Sequence, residues 1–227
     1  MLQGCAMETA RIAELLAPFS GGERLPLRLL EALQRYLDLL LRWNARVNLT
    51  AVRDPEKIVT RHFGESLFAA RTLLRGRDGA AASTLADVGS GAGFPGVPMK
   101  LFAPQLELTL IEAHNKRAVF LREVVRSLEL DRTEVFGGRA EHWAKTADLV
   151  TLRAVEQFER ALPVAAKLVA EGGRLGLLIG AGQVLTAQEV LGKSWRWREP
   201  TAVPLSQARV VLGAERDGRA PTDTNIS

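Results

Sequence analysis

The apolar positions along this chain follow two different periods, and the change from one to the other divides the sequence. Up to about residue 74, leucines and other apolar residues recur three or four positions apart, as at Leu30, Leu33 and Leu37. Residues at this spacing share one face of an α-helix. The spacing predicts helices over residues 8–19, 26–43 and 54–73, with an irregular stretch at 44–50.

After residue 84, short apolar runs alternate with helical stretches. This alternation is typical of a mostly parallel sheet with right-handed helical crossovers. The predicted strands are 85–88, 106–111, 133–137, 148–152 and 174–179, then two antiparallel strands within 195–216. The predicted helices are 97–102, 116–128, 158–170 and 184–191, with Gly172-Gly173 capping the third. We therefore expect an α/β fold: a seven-stranded, mostly parallel sheet with a terminal antiparallel hairpin.

Composition places the boundaries between the parts. RGRDGAAAST, at 75–84, is a loop or linker by its glycine, alanine and polar content. We predict an N-terminal helical extension over 1–78, a ligand-binding α/β domain over 79–215, and a disordered polar tail over 216–227.

The segment LADVGSGAGFPG, at 85–96, carries the strongest chemical signal. Glycines after a strand permit a tight turn and the close approach of a ligand to the backbone. In an open α/β sheet this end of the strand is the expected ligand site. Gly91, Gly93 and Gly96 fit the dinucleotide pattern G-x-G-x-x-G, while 87–93 fit D-x-G-x-G-x-G, the shape associated with S-adenosylmethionine enzymes.

The flanking residues favour S-adenosylmethionine. A dinucleotide places its pyrophosphate on the next helix N-terminus, but Phe94 and Pro95 crowd that start and Pro95 has no N–H. The carboxylate of Asp87 repels a pyrophosphate and attracts the amine of a sulfonium amino acid. A nicotinamide oxidoreductase is the weaker alternative, since no second domain for hydride chemistry follows.

Three further positions lie at predicted strand ends. Glu112 follows the second strand, nineteen residues after Gly93, where an acid meets the ribose hydroxyls of a nucleoside. Ala140-Glu141 follow the third strand, where backbone N–H groups could read an adenine edge. Arg153 ends the fourth strand and is expected to point toward the methyl acceptor.

Charge and composition limit the class of partner, the metal content and the cellular compartment that we expect. The net charge is +4, and residues 42–77 hold eight Lys or Arg against three acids, a plausible footprint for a phosphate backbone. The single cysteine, Cys5, fits a reducing compartment. The three histidines lack metal-ligand spacing, so we expect no metal. The chain has neither a run of about 20 apolar residues nor a signal-peptide pattern, so we expect a cytoplasmic protein that does not enter a membrane.

DVGSGAGFPG, EAHNKRAVFLREV, GRAE and TLRAV together resemble the bacterial 16S rRNA guanine-N7 methyltransferase G family, also called glucose-inhibited division protein B (RsmG/GidB). WNARVNLTAVRDPEKIVTRHFGESL resembles the same family's N-terminal signature, so the resemblance spans about 30–180. It implies a Rossmann-like class I methyltransferase fold, S-adenosylmethionine as methyl donor, and N7 of one guanine in a 16S rRNA loop near the decoding centre as acceptor. We expect a monomer acting on 16S rRNA or the 30S subunit.

Motif and resemblance together give two sets of candidate residues. The cofactor set comprises Asp87, Gly89, Gly91, Gly93, Phe94, Glu112, Ala140, Glu141 and Arg153. The RNA-facing set comprises Arg46, Asn48, His62, Lys116, Arg117 and Arg139. No catalytic acid or base is assigned, because guanine N7 already carries a nucleophilic lone pair and alignment of the reactants can supply the rate. Arg153 is the nearest candidate for a catalytic residue.

The chain departs from the family pattern at two places. Glu65 stands where the family more often has Asp, and LLIGAG at 177–182 replaces a Leu-Lys-Gly ending of the fifth strand. The second change puts in doubt any role here for a lysine near the acceptor. Two alternatives stay open: a small-molecule or protein methyltransferase on the same fold, or an RNA-binding module that holds the cofactor without turnover.

Overall fold

The computed structural model describes residues 7–74, 81–153 and 157–216. In those ranges the helices are α1 (Thr9–Leu16), α2 (Leu27–Val47), α3 (Pro55–Ile58), α4 (Glu65–Leu73), α5 (Gly96–Phe102), α6 (Asn115–Ser127), α7 (Phe158–Lys167) and α8 (Val184–Leu191). The strands are β1 (Thr84–Val88), β2 (Glu107–Ile111), β3 (Thr133–Phe136), β4 (Ala147–Arg153), β5 (Val169–Gly180), β6 (Trp195–Trp197), β7 (Thr201–Ala202) and β8 (Arg209–Arg216). None of these helices is both long and apolar enough to cross a bilayer.

Seven strands lie side by side in the order β3-β2-β1-β4-β5-β8-β6, and the two-residue β7 pairs with β8 off this path. β1 to β5 pair in parallel, whereas β8 runs antiparallel to β5, β6 and β7. The expectation of a mostly parallel sheet is confirmed, but within the described ranges the sheet has eight strands where seven were expected, because residues 195–216 form three strands and not a two-stranded hairpin. The chain builds β1, β2 and β3 outward in one direction and then returns to the other side of β1, so the strand order reverses between β1 and β4.

Helix α2 runs four residues beyond its predicted end at Trp43. Asn44 lies in the helix, and its buried side-chain amide makes two hydrogen bonds with the backbone of Thr50. Its Oδ1 accepts from N at 2.9 Å and its Nδ2 donates to O at 3.0 Å. These two bonds close the loop after the helix. The helix ends at Val47, and the next residue, Asn48, caps it in a left-handed conformation.

Strand β5 begins at Val169, five residues before its predicted start. Gly172 and Gly173 therefore lie inside the strand and do not cap α7. The pairing of β4 with β5 shifts register here, from Ala147–Val169 to Leu149–Arg174. The extra residues form a bulge, and the positive φ of Gly172 (+69°) suits one.

The predicted helix at 54–73 is divided. A π-helical turn, Val59–Gly64, separates α3 from α4. π turns inside helices are rare and frequently occur at functional sites. This one carries Arg61, His62 and Phe63 at the edge of the sheet where β1 and β4 end, as their contacts below show.

The N-terminal helices share a hydrophobic core with one face of the sheet. That core joins Leu33 of α2 and Leu73 of α4 to Leu85 of β1 and Leu149 of β4. A second core lies on the other face, under α7 and α8. Of the predicted linker at 75–84, only residues 81–84 are described. Of the predicted tail at 216–227, only Arg216 is described, and it is the last residue of β8.

Gly176→Ala tests this shared core. A Cβ at Gly176 would lie 2.5 Å from Cδ1 of Leu73, which is 1% exposed and closely surrounded. We expect a loss of about 1–3 kcal/mol in the free energy of unfolding from overpacking, measured by urea denaturation. Gly182→Ala is the matched control, because a Cβ there meets no atom within 4 Å. Equal stability of both variants and the wild type would contradict the packing of α4 on β5.

Candidate cofactor and acceptor site

The glycine loop, residues 89–95, lies at the carboxyl end of β1, where the strand order reverses. Gly89, Gly91 and Gly93 all have positive φ, at +67°, +58° and +90°, a conformation that favours glycine. The N–H groups of Gly89 and Ser90 donate to the carbonyl of Ile111 at the end of β2. The loop is thus fixed across two neighbouring strand ends.

Asp87 lies beneath this loop, with no exposed surface. Its Oδ1 accepts from the hydroxyl of Thr151 on β4 at 2.9 Å, and its Oδ2 accepts from N of Gly96, the first residue of α5, at 3.1 Å. Burial raises the pKa of Asp87 to about 6, against the lowering effect of these bonds. The carboxylate of Asp87 thus holds the loop through these bonds, and its attraction for the cofactor's amine stays a prediction.

The same bond bears on the choice of cofactor. The N–H of Gly96 would be one of the donors for a pyrophosphate at the start of α5, and here Asp87 already occupies it. An anionic side chain also sits directly behind that helix start. Both observations disfavour a dinucleotide in this loop.

Glu112, at the end of β2, is 5% exposed and faces the glycine loop. Its Oε2 accepts from N of Gly91 and its Oε1 from N of His114, both at 2.8 Å. A carboxylate has about four lone-pair sites, so each oxygen can still accept a hydroxyl. This geometry is compatible with the predicted contact to ribose hydroxyls.

Tyr36 of α2 joins the N-terminal helices to the loop. It is fully buried, and its hydroxyl donates to the carbonyl of Ala92. Its ring stacks on Phe63 and Phe94 at centroid distances of 5.3 and 5.5 Å. Sequence reasoning missed Tyr36, because it falls on the same helical period as the surrounding leucines and reads as an ordinary core residue.

Arg153, the last residue of β4, lies at the centre of a charged cluster. Among the described residues, all its hydrogen bonds come from Nη2, which donates to the Arg61 carbonyl at 2.7 Å, His62 Nδ1 at 3.0 Å and Glu65 Oε2 at 3.2 Å. Its guanidinium carbon lies 5.8 Å from the centre of the Phe94 ring. Phe94 and Arg153 of the predicted cofactor set and His62 of the predicted RNA-facing set therefore lie together at one point.

Glu65 links two arginines from different strands. Its side chain is 4% exposed, and its Oε1 also pairs with Arg209 of β8 at 2.7 Å. Burial raises the pKa of Glu65, whereas Arg153 and Arg209 act to lower it. Arg209 was not among the predicted residues, since nothing in the sequence places the start of β8 beside α4.

His62 stacks on Phe94 at 4.7 Å, and both of its ring nitrogens have partners. A guanidinium can only donate, so Nδ1 accepts from Arg153 and Nε2 carries the proton that faces Thr50 Oγ1 at 2.9 Å. Burial, followed by repulsion from Arg153, lowers the pKa of His62 to about 3. His62 is half-buried and its neutral ring holds Arg153, while its contact with RNA stays a prediction.

The predicted adenine segment forms a short 3-10 turn, Ala140–His142, after β3. Ala140 is half-buried and Glu141 is exposed, so both are accessible. The buried indole Nε1 of Trp143 directly after the turn has no hydrogen-bond partner among the described residues. A buried donor without a partner is uncommon and is compatible with a ligand that is held at this turn.

The RNA-facing candidates other than His62 lie at three places. Arg46 and Asn48 are exposed at the end of α2, and Asn48 Oδ1 accepts from Arg53. Lys116 is exposed and Arg117 half-buried at the start of α6, while Arg139 is exposed before the 3-10 turn. Within the described ranges, no hydrogen bond joins them to Arg153, and no group of three or more His, Cys, Asp or Glu side chains could hold a metal ion.

Comparison with known proteins gives matches over most of the chain. A sequence model described as rRNA small subunit methyltransferase G matches residues 29–201. Ribosomal RNA small subunit methyltransferase G of Xanthomonas campestris pv. campestris (strain B100) is 39% identical over 175 residues, covering 76% of this chain and 78% of its own. The protein of the same name from Desulfitobacterium hafniense (strain Y51) is 35% identical over 198 residues, covering 84% and 78%.

Solved structures agree on the fold. A SAM-dependent methyltransferase from Aquifex aeolicus aligns with a TM-score of 0.58 at 15% identity, covering 74% of this chain and 97% of that one. The chain thus has the Rossmann-like class I S-adenosylmethionine-dependent methyltransferase fold.

The buried neutral histidine predicts a pH dependence of stability. Unfolded His62 titrates near pH 6.5 and folded His62 near 3, so between these values the unfolded chain binds one more proton. Stability therefore falls as the pH falls from about 6.5 toward 3, by about 1.4 kcal/mol per pH unit from this residue alone. We expect His62→Gln to flatten the pH profile by that slope, measured by urea denaturation from pH 7.5 to 4.5.

His142→Gln is the matched control, since His142 is exposed on the 3-10 turn. It should leave the slope of the wild-type profile unchanged. A His62→Gln profile parallel to that of the wild type would show that His62 is not held neutral.

Proposed function

The chain belongs to the rRNA small subunit methyltransferase G family, and on that premise we propose that it methylates N7 of one guanine in 16S rRNA. S-adenosylmethionine is the methyl donor, and the acceptor lies in the decoding-region loop of the small subunit. The observation that carries the proposal is the position of Arg153. It ends β4 beside the glycine loop of β1, with its guanidinium near Phe94, at the point where donor and acceptor have to meet.

The residues around the glycine loop fit the cofactor. The loop backbone at Gly89 and Gly91 is accessible, Glu112 can accept from ribose hydroxyls, and the turn at Ala140–Glu141 can read the adenine edge. Asp87 contributes by holding the loop, and Gly93 by leaving room for the Tyr36 hydroxyl, which would lie 2.5 Å from a Cβ there. When bound, S-adenosylmethionine supplies an electrophilic methyl group on a sulfonium.

The transfer needs no general base. The lone pair of guanine N7 forms the new N–C bond while the S–C bond breaks, its electron pair stays on sulfur, and no proton has to leave N7. The chain's contribution is to align the reacting atoms, which can be worth about 7–11 kcal/mol in well-oriented reactions. Arg153 is rigidly held by three acceptors, so it can position a guanine or its phosphate without a large loss of entropy.

Charge at the site suits an RNA acceptor. Arg61, Arg153 and Arg209 surround the carboxylate of Glu65, and Asp87 also faces Arg153. Three cations against two carboxylates leave an excess of positive charge at the end of β4. The exposed Arg46, Lys116 and Arg139 extend this charge over the neighbouring surface. Cations that neutralise phosphates release counterions, so binding of the small subunit should weaken as salt rises.

We propose further that the chain acts as a monomer in the cytoplasm. The transfer itself needs no Lewis acid, so we propose that the reaction requires no metal. The small subunit, or a 16S rRNA assembly intermediate, is its partner.

Transfer of a labelled methyl group tests the proposal. Small subunits from a strain that lacks this protein should accept one methyl group per 16S rRNA, and nuclease mapping should place it on a single guanine. Methylation of small molecules or proteins alone would contradict the RNA acceptor. Cofactor binding without any transfer would point to a module that only holds the cofactor.

Arg153→Ala should lower the transfer rate by about 100-fold or more, because one misplaced reacting group can cost that much. Arg153→Lys should be nearly as slow, since an ammonium cannot reproduce the planar contacts of a guanidinium. Circular dichroism should show both variants folded. Arg126→Ala is the control and should keep the wild-type rate. Arg126 is 77% exposed and forms an ion pair with Glu123 on α6. Wild-type turnover by Arg153→Ala would remove Arg153 from the site.

A further inference from the structure

A cavity that the proposed function does not use lies at the same edge of the sheet as the glycine loop. Its volume is about 460 Å³, within the usual range of ligand sites of about 300–1,000 Å³. The residues that line it come from the starts of α7 and α8: Gln157, Phe158, Glu159, Arg160, Gln183 and Thr186.

The order of the strands places this cavity on the acceptor side of the site. Along the edge from β3 to β5 stand, in sequence, the turn at Ala140–Glu141, then Glu112, the glycine loop, Arg153 and the cavity. The first three would hold adenosine and methionine. A group bound beyond Arg153 is therefore separated from the cofactor by the reacting guanine and belongs to the acceptor.

The lining groups suit a nucleobase. Gln157 Oε1 accepts from Arg160 at 3.1 Å, and Gln183 Oε1 accepts from N of Gly180 at 3.0 Å. Each amide oxygen is thereby engaged, and within the described residues no hydrogen bond uses the NH₂ group, which can act as a double donor. Amide donors of this kind read base edges, and an aromatic ring such as that of Phe158 can stack on an unpaired base.

Among the described residues, one cation lines the cavity. Arg160 is exposed at the start of α7, next to the carboxylate of Glu159. Its guanidinium could contact a phosphate beside a base that is held in the cavity.

We propose that this cavity binds one unpaired nucleotide of the acceptor RNA, adjacent to the guanine that is methylated. The inference rests on the proposed function, since it assumes an RNA acceptor at Arg153. It assigns Gln157 and Gln183 as substrate-positioning residues that select the sequence or shape of the loop. Sequence-specific RNA recognition generally uses such unstacked bases.

Gln157→Glu and Gln183→Glu test the assignment with little disturbance of the fold. Each variant keeps the oxygen that accepts from Arg160 or Gly180, loses the two amide donors, and adds a charge that repels phosphate. In the double variant we expect the KM for small subunits to rise about 10-fold or more, with kcat at saturation and the calorimetric affinity for S-adenosylmethionine unchanged. Gln105→Glu, next to the amino end of β2, is the control and should keep the wild-type KM.

A second experiment identifies the nucleotide that the cavity binds. Small subunits that carry base substitutions at each nucleotide flanking the methylated guanine are assayed with wild type and with the double variant. At one flanking position, the substitution should raise the KM of the wild type but add little in the double variant, because both changes remove the same contact. Multiplicative effects at every flanking position would overturn the proposal and indicate another contact, such as a ribosomal protein.

Two different results would reject the nucleotide cavity and the proposed function. An unchanged KM in the double variant, with normal methylation by the wild type, would reject the nucleotide cavity and leave the proposed function intact. Absence of methylation by the wild type on any small subunit would reject the proposed function itself.

Discussion

The hydroxyl of Tyr36 donates a hydrogen bond to the carbonyl of Ala92, and through this contact the N-terminal helices fix the conformation of the glycine loop. Gly93 has no side chain, so the hydroxyl can come this close. The ring of Tyr36 continues the connection through Phe63 and Phe94 to the edge of β4. The N-terminal helices are consequently part of the cofactor site as well as of the hydrophobic core.

A second constraint is electrostatic. Arg153 and Arg209 come from different strands, and burying either charge without a partner would cost several kcal/mol. Glu65 of α4 compensates both, while the neutral ring of His62 accepts a further bond from Arg153. The helical part therefore supplies the groups that make a buried arginine possible at the end of β4. Substrate-facing chemistry and fold stability depend on the same carboxylate.

Part of the cofactor site could be predicted from short sequence patterns. The glycine loop, Glu112 and Arg153 all follow apolar strands, and the rule that ligands bind at carboxyl ends of parallel strands placed them at one edge. Tyr36, Arg209 and the cavity near Gln183 could not be found in that way, because their significance arises only when distant elements pack together. Asp87 and His62 were recognised, but their hydrogen bonds direct them toward the protein, and such orientation depends on tertiary contacts that a motif does not contain.

Calorimetric titration of Tyr36→Phe with S-adenosylmethionine tests the central claim, that the N-terminal helices hold the cofactor loop. The variant keeps the aromatic stack and loses one hydroxyl, leaving the buried Ala92 carbonyl without its donor, at a cost of about 1–3 kcal/mol. Part of that cost should appear in binding, as an affinity for S-adenosylmethionine about 3- to 10-fold below that of the wild type, in a protein that circular dichroism shows to be folded. An affinity equal to that of the wild type would show that the loop keeps its conformation without Tyr36 and would contradict the account.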